Sequence, residues 1–185
     1  MKLRNLFTFG TLILSLAAGN ALAQDDKAKK QSEIKKVTQA SLQKFYKAKP
    51  ELKGEVEKAT GYAVFTTYGL SFLLGGAGGK GIAHDNKTNK DTFMHLGQAS
   101  AGAQVGIAES ETLFVFPTQK ALDDFVNKGW ESSGSGSLQA GAAGKSVGPA
   151  SGGTTDALTY TLTKNGLQVG MAVAGMKIWK DKELN

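Results

Sequence analysis

Residues 59–96, ATGYAVFTTYGLSFLLGGAGGKGIAHDNKTNKDTFMHL, form a series of short apolar or alternating runs separated by glycines and by one polar segment. Runs of this length, with turn-forming residues between them, are typical of antiparallel strands. The polar segment, DNKTN at positions 85–89, is rich in residues that favour turns and predicts a hairpin. The stretch therefore predicts a sheet built from strands that follow one another along the chain.

The same texture continues toward the C-terminus. The predicted strands of the first part lie near Tyr62–Thr67, Leu70–Leu74, Gly81–His84, Thr92–Leu96, Ala99–Ile107 and Thr112–Phe116. Pro117 ends the last of these strands, and Thr118 can cap a helix that continues to about Lys128. Asn165-Gly166 is a type I′ turn signal and predicts a final hairpin that joins Asp156–Thr163 to Leu167–Trp179.

Residues 131–153 between that helix and the final hairpin are rich in Gly, Ser and Ala. Such a composition fits a flexible loop, and it also fits a strand of small residues over Ser137–Ala143. The sequence leaves both interpretations open.

Two helices are predicted ahead of the strands. Residues 27–48 contain no Gly or Pro, and apolar side chains recur there at helical spacing. Pro50 is well placed to begin a second helix, which ends near Thr60 before Gly61. The expected fold class is therefore α+β: a strongly curved antiparallel sheet or small barrel of short, glycine-rich strands, with two N-terminal helices and one internal helix.

The first 23 residues have the features of a secretory signal peptide. Lys2 and Arg4 precede an apolar run over 6–18, and Ala21 and Ala23 stand at the −3 and −1 positions of a cleavage site. The apolar run is shorter than the ~20 residues that a transmembrane helix needs. We therefore expect cleavage between Ala23 and Gln24, a basic helical segment over 24–60 and a β domain over 61–185. The mature protein would be periplasmic or secreted.

The positive charge of the chain is local. The formal net charge of +6 includes Lys2 and Arg4, and the removal of residues 1–23 would leave 20 basic and 16 acidic residues. Residues 24–58 hold ten lysines and six acidic residues, while residues 59–185 are neutral overall. Because the excess lies on one predicted helix, it indicates a surface for anionic lipid headgroups or another polyanion.

At 100° per residue, Lys29, Lys36 and Lys47 project opposite the apolar face of this helix. Lys44 lies at the edge of that face, and Lys30 falls within it. Two aromatic side chains on the helix are suited to an interface between water and lipid. The predicted lipid-binding residues are Lys29, Lys30, Lys36, Lys44, Lys47, Phe45 and Tyr46. The alternative is that the helix packs on the sheet and its lysines are simply solvated.

Catalytic and cofactor chemistry finds no support in the sequence. The chain has no cysteine, which excludes thiol nucleophiles and Cys-ligated metals. Residues 76–81, GAGGKG, satisfy G-x-G-x-x-G, but the predicted continuation is a strand, whereas a dinucleotide site needs a helix there. The two histidines, His84 and His95, are expected on different rungs of a hairpin, and a metal site gathers three or more ligands. We therefore expect a non-enzymatic protein without cofactor, metal or nucleic-acid partner.

A series of motifs in this order resembles the SYLF family. The motifs are ATGYAVF (59–65), GGAGGKG (75–81), GAQVG (102–106), LFVF (113–116), Ala121-Leu122-x-x-Phe125, AGAAG (140–144), Tyr160 and the segment KNGLQVGMAVAG (164–175). The resemblance covers about residues 45–180. Where eukaryotic members carry a tryptophan before Gly97, this chain reads TFMHL (92–96).

The resemblance implies a lipid-binding domain that in some eukaryotic members also binds actin, with a basic N-terminal helical segment that contributes to membrane binding. Cytosolic actin and phosphoinositides would not be met by an exported protein. The expected partner is therefore an anionic phospholipid membrane surface, contacted peripherally. An envelope structural or protein-interaction module is the alternative.

Overall fold

The computed structural model describes residues 14–66, 78–98, 110–131, 157–163, 166–169 and 176–185. The predicted strands at 70–74 and 99–107 and the small-residue segment at 137–143 lie outside these ranges. Most of the glycine-rich segment 75–81 is described, and its residues from Gly78 onward belong to a strand.

The described residues form three helices and eight strands. The helices are α1 (Leu14–Ala48), α2 (Glu51–Lys58) and α3 (Gln119–Lys128). The strands are β1 (Gly61–Thr66), β2 (Gly78–Asp85), β3 (Lys90–Gln98), β4 (Glu111–Phe116), β5 (Trp130–Glu131), β6 (Leu158–Thr163), β7 (Gly166–Val169) and β8 (Met176–Lys180). The α+β class and the two N-terminal and one internal helices are confirmed. Helix α1 begins earlier than predicted, because the Leu- and Ala-rich residues before 27 also favour a helix.

The strands form one antiparallel sheet, strongly curled into a half-barrel, in the order β5-β8-β3-β2-β1-β4-β6-β7. The predicted hairpin around residues 85–89 is confirmed: β2 pairs with β3, and His84 lies opposite Asp91. Thr118 caps α3 as expected, since its hydroxyl accepts a hydrogen bond from the amide of Ala121 at 3.2 Å.

The final hairpin is confirmed only in its first half. Strand β6 pairs with β7, with Thr163 opposite Gly166. The prediction of one strand over Leu167–Trp179 is wrong, because β8 lies at the other side of the sheet between β3 and β5. The reason is the core: Met176 and Ile178 are buried beside Leu96 and Trp130, which the β6–β7 edge could not provide.

One face of the sheet packs on α3. Phe114 and Phe116 lie with their ring centroids 5.2 and 4.9 Å from that of Phe125 on the helix. The Trp130 ring closes the cluster at 5.3 Å from Phe114. Side chains from β1, β2, β3, β4, β5 and β8 meet in this cluster, so it is the main core of the domain.

The other face, which we call the outer face, packs on α1 and α2. Val64, Leu113 and Tyr160 of the sheet meet Phe45 of α1 and Leu52 of α2. Further toward the N-terminus of α1, a smaller cluster joins Ile34 to Phe93 and Leu184, close to the end of the chain. Both faces of the sheet are therefore covered by helices.

Glycine at position 81 is required by close packing between strands. A β-carbon there would lie 2.3 Å from a ring carbon of Phe65 and 2.4 Å from the carbonyl oxygen of Val64. In contrast, a β-carbon at Gly54 of α2 would meet nothing within 4 Å.

We expect Gly81→Ala and Gly54→Ala to change the free energy of unfolding in opposite directions. Gly81→Ala forces β1 and β2 apart and costs about 1–3 kcal/mol, the usual cost of overpacking. Gly54→Ala removes a flexible residue from a helix interior and stabilises by about 0.5–1 kcal/mol. Urea unfolding followed by circular dichroism measures both, and equal midpoints for the two variants would contradict the packing described here.

Candidate functional site

Helix α1 lies on the outer face with its apolar stripe buried and a row of lysines on its opposite side. Phe45 is 0% exposed, and Ile34 and Leu42 are also buried. Thr38 within the stripe donates its hydroxyl hydrogen to the carbonyl oxygen of Ile34 at 2.7 Å. The row opposite consists of the exposed residues Lys29, Lys36 and Lys47. None of these three forms an ion pair with another residue that the structure describes.

Two other lysines of α1 bind the sheet, one at each side of the helix. Lys44 Nζ lies 2.6 Å from Oε1 of Glu111, whose side chain is only 2% exposed. The second carboxylate oxygen of Glu111 has no hydrogen-bond partner in the described part of the chain. Lys35 Nζ lies 2.7 Å from Asp91 and 5.8 Å from the ring centroid of Phe93. These lysines are therefore parts of the packing between helix and sheet.

Beside the N-terminal half of α1 lies a cavity of about 710 Å³, which we call the Asp181 cleft. Helix α1, the adjoining ends of β2, β3 and β8, and the C-terminal residues 181–184 enclose it. Strand pairing places Lys80, His95 and Trp179 on one rung of the sheet, with their side chains toward the cleft.

Asp181 connects these groups and is itself almost fully buried. Its Oδ2 lies 2.7 Å from Lys80 Nζ and 2.9 Å from His95 Nε2. Its Oδ1 accepts hydrogen bonds from the amides of Glu183 and Leu184, at 2.9 and 3.1 Å. The imidazole of His95 stacks on the Trp179 ring, with the centroids 5.4 Å apart. One carboxylate thus holds the floor of the cleft and the C-terminal turn together.

A second, smaller cavity of about 430 Å³ lies on the other side of α1, and we call it the His84 cleft. His84 Nδ1 lies 2.7 Å from Asp91 Oδ1, and the His84 ring lies 5.1 Å from that of Tyr62. Burial, with Tyr62 and Glu57 nearby, raises the pKa of Tyr46 to about 12. The phenol at this cleft is therefore harder to ionise than that of an exposed tyrosine.

Among the described residues of the His84 cleft, neither a metal-binding cluster nor a catalytic triad is formed. The described residues include no group of three or more His, Asp or Glu side chains placed to hold a metal ion. The His84–Asp91 pair has no serine or threonine hydroxyl hydrogen-bonded to it among the described residues, so a catalytic triad is not formed there.

Among the helices of the described chain, none has the length and apolar character needed to cross a bilayer.

Comparison with known proteins agrees with the motifs and the fold. A family model described as "Ysc84: Las17-binding protein actin regulator" matches residues 97–185, which include β4, α3 and the strands that follow. This model represents the SYLF domain. The matched part of the chain, residues 97–185, belongs to the SYLF family.

Two relatives show how far the likeness extends. The chain is 30% identical over 152 residues to "Beta cell expansion factor A" of Aeromonas veronii, an alignment that covers 82% of this chain and 57% of the relative. It is 30% identical over 139 residues to "LAS seventeen-binding protein 3" of Saccharomyces cerevisiae, over 70% of this chain and 30% of the relative. The chain therefore spans little more than half of one relative and less than a third of the other.

The residues predicted to contact lipid occupy different positions in the SYLF domain. Lys29, Lys36 and Lys47 lie together on the solvent side of α1, and Lys30 lies at the mouth of the Asp181 cleft. Tyr46 is half-buried beside the His84 cleft. Lys44 points to Glu111.

Phe45 differs from the other residues predicted to contact lipid, because its side chain is fully buried. It is 0% exposed and packs with Leu52, Val64 and Leu113. Its ring is on the side of α1 that faces the sheet, so it could reach a membrane only if the helix left the outer face.

The Asp181 cleft was not predicted from the sequence. The turn at 85–89 sets the register of the β2–β3 hairpin, and that register places Lys80 opposite His95. This pair could therefore have been predicted from the sequence. The addition of Trp179 and Asp181 depends on the crossing of β8 to the edge of β3, for which no local pattern exists.

The protonation of two groups in the Asp181 cleft, His95 and Asp181, is coupled to folding. Burial lowers the pKa of His95, and the Lys80 ammonium lowers it further against the opposing effect of Asp181. Burial alone would raise the pKa of Asp181, but hydrogen bonds from Lys80 and the Leu184 amide, with the charges nearby, lower it below its usual value. Both groups bind protons less readily in the folded state than in the unfolded chain.

We therefore expect acid to destabilise the protein in two steps. The contribution of His95 to the free energy of unfolding is complete above the ordinary histidine pKa of about 6.5. It is lost as the pH falls through the lower pKa that His95 has in the folded state. Stability from Asp181 is complete above about pH 4 and falls below it. Urea midpoints measured between pH 8 and pH 3 follow both steps.

His95→Gln should remove the upper step and leave the lower one. Asp181→Asn leaves Lys80 without its partner and should cost about 3 kcal/mol at pH 7, as is usual when one partner of a buried pair is lost. Asp124 is the matched control, because it is only partly buried and its two ion pairs are with exposed lysines of the same helix. If Asp124→Asn lowered the midpoint as much as Asp181→Asn, the structural role of Asp181 would be wrong.

Proposed function

We propose that this SYLF protein is a non-enzymatic, peripheral phospholipid-binding protein of the bacterial envelope. In this proposal residues 1–23 are removed on export, and the protein is periplasmic or secreted. The basic α1 helix contacts the anionic headgroups, while the sheet serves as its support.

The observation that carries the proposal is the unpaired row on α1. Lys29, Lys36 and Lys47 are exposed on the side of the helix away from the sheet and lack an ion-pair partner among the described residues. A lysine near an anionic membrane contributes about 1 kcal/mol, so the three together would contribute about 3 kcal/mol. Lys30, which is also exposed, lies near enough to the same helix end to add to the field.

The packing of α1 favours surface contact over insertion. The apolar side chains that could enter a bilayer, Phe45 above all, are already buried against the sheet. Their insertion would uncover Val64 and Leu113 and break the Lys44–Glu111 ion pair. An electrostatic contact through the outer lysines requires neither change, and it weakens as salt screens the charges.

We expect the protein to sediment with phosphatidylglycerol or cardiolipin vesicles at low salt and to be released as salt rises. The variant Lys29→Glu/Lys36→Glu/Lys47→Glu should lose at least about a hundredfold in apparent affinity, since three contributions of about 1 kcal/mol are removed. Its circular-dichroism spectrum should be unchanged because all three side chains are in solvent.

The matched control changes three exposed lysines elsewhere, Lys58→Glu/Lys87→Glu/Lys90→Glu, with the same change in net charge. These residues lie at the end of α2 and in the β2–β3 hairpin. Equal loss of binding in both triple variants would indicate attraction by net charge alone. Equal sedimentation of the unaltered protein with phosphatidylcholine and phosphatidylglycerol vesicles would refute the proposal.

Export is tested separately. We expect protein recovered from the periplasm or medium to have an intact mass that corresponds to a chain beginning at Gln24. Ala23→Phe should block processing, since signal peptidases require a small residue at −1. A recovered protein that still contains Lys2 and Arg4 would contradict this part of the proposal.

A second candidate function, a protein-interaction module, is favoured by the β6–β7 edge. Leu158 and Val169 are 39% and 44% exposed there, on large apolar side chains. The yeast relative is also named for its binding to another protein. A stoichiometric protein partner that is lost on Val169→Lys, together with no sedimentation on anionic vesicles, would favour this function over lipid binding.

A further inference from the structure

The His84 cleft lies over the outer face of the sheet, with side chains of α1 and α2 along its sides. The strand register places its floor residues on one face, and they come from β1, β2 and β3: Tyr62, Val64, Ile82, His84 and Asp91. Its volume of about 430 Å³ lies within the range of about 300–1,000 Å³ found for small-molecule sites. The cleft is therefore large enough for a small ligand.

Two phenol hydroxyls at this cleft have no hydrogen-bond partner in the described part of the chain. Tyr46 and Tyr62 are half-buried, and burial is the main reason that the pKa of each is raised. By contrast, the hydroxyl of Tyr160 donates to Glu55 at 2.6 Å. Among the described residues, the only fully buried side-chain oxygen without a partner is Oε2 of Glu111. The oxygens of Tyr46 and Tyr62 are therefore still open to a ligand.

Asp91 fixes the hydrogen bonding of the His84 ring. Burial alone would raise the pKa of Asp91, but hydrogen bonds from Lys35 and His84 lower it below its usual value. Since an ionised carboxylate only accepts, His84 donates from Nδ1 to Asp91 Oδ1, at 2.7 Å. In the neutral imidazole Nε2 is then an acceptor, and it has no hydrogen bond to a described residue.

The remaining polar groups select against a charged ligand. The amides of Gln39 and Gln43 are exposed and form no hydrogen bond within the described ranges. Two basic and two acidic side chains line the cleft, which are Lys35, Lys53, Glu57 and Asp91. Phenols and amides both donate and accept, as a sugar hydroxyl does, whereas an anion only accepts and an ammonium group only donates. The lining therefore favours an uncharged ligand that is rich in hydroxyls.

The floor also offers apolar surface. The Tyr62 ring is held beside the His84 ring, with the centroids 5.1 Å apart, and Ile82 is only partly buried. The face of an aromatic ring is negative and attracts the positive C–H groups of a partner. A pyranose ring has such C–H groups on its faces and hydroxyls around its edge, so it matches both parts of the lining.

We propose that the His84 cleft binds a neutral saccharide unit. Its hydroxyls exchange hydrogen bonds with Tyr46, Tyr62 and His84, and its C–H groups pack on the Tyr62 ring. The inference does not rest on the proposed lipid contact, because no lysine of the outer row on α1 lines this cleft.

Calorimetric titration with three neutral disaccharides, N,N′-diacetylchitobiose, cellobiose and maltose, tests the proposal. At least one should bind saturably and one to one, and the largest amide chemical-shift changes in NMR spectra should lie at Gln39–Tyr46, Tyr62 and His84. No saturable binding of any of the three at tens of millimolar concentration would overturn the proposal. Binding whose largest shift changes lie at another surface would also overturn it.

Tyr46→Phe and Tyr62→Phe each remove one hydroxyl and keep the ring. Each should weaken binding of the same disaccharide by about two- to tenfold, which is the usual contribution of one hydrogen bond. Tyr160→Phe is the matched control and should leave the affinity unchanged, because its hydroxyl is bound to Glu55 and it does not line the cleft. No loss in the two cleft variants, or an equal loss in all three, would contradict the proposed contacts.

Competition by monosaccharides tests the preference for an uncharged ligand. Glucuronate and glucosamine, which are charged, should displace the disaccharide no better than glucose does. Displacement by either at about tenfold lower concentration than glucose would overturn the proposal. Saccharide binding without sedimentation on anionic vesicles would contradict only the proposed function, and sedimentation without saccharide binding would contradict only this inference.

Discussion

The burial of β1 on both faces is the constraint on which the rest of the structure depends. Val64 and Phe65 are neighbours in the chain and point to opposite sides of the sheet, yet both are almost fully buried. Phe65 lies in the cluster with α3, and Val64 lies in the cluster with α1 and α2. A sheet with apolar side chains on both faces must be covered on both. The docking of α1 on the outer face is therefore part of the fold, and the position of its lysines follows from it.

This docking divides the lysines of α1 by their environment. Lys44 is bound to a carboxylate inside the protein and Lys35 is bound to Asp91, whereas Lys29, Lys30, Lys36 and Lys47 are exposed and have no ion pair with a described residue. A count of lysines along residues 27–49 overstates the charge available to a partner. The pair formed by Lys44 and Glu111 also favours one docking position of the helix. One oxygen of the buried Glu111 carboxylate has no hydrogen-bond partner among the described residues, and the other depends on Lys44 of the helix.

The local features of this SYLF domain could be predicted from its sequence, and the features that depend on distant contacts could not. The β2–β3 hairpin, the Thr118 cap and the end of α1 before Pro50 each depend on a few adjacent residues, and the structure has all three. Phe45 and Tyr46 are adjacent aromatic residues, and the sequence favours both equally as lipid contacts. Only the packing distinguishes the buried ring of Phe45 from the half-buried ring of Tyr46. The Asp181 cluster unites residues 80, 95 and 181, and the last of these arrives through a strand crossing that no spacing pattern encodes.

The packing of α3 and α1 on opposite faces of the sheet has a kinetic consequence. Phe114, Phe116 and Phe125 pack on the face of the sheet opposite α1, so the two clefts described here lie on the outer face, beside α1. A molecule that entered either cleft would lie between one helix and one face of the sheet, so its release would require no strand to separate. Its residence time would then be set by contacts with side chains, and hydrogen exchange of the sheet amides would remain slow while the clefts fill and empty.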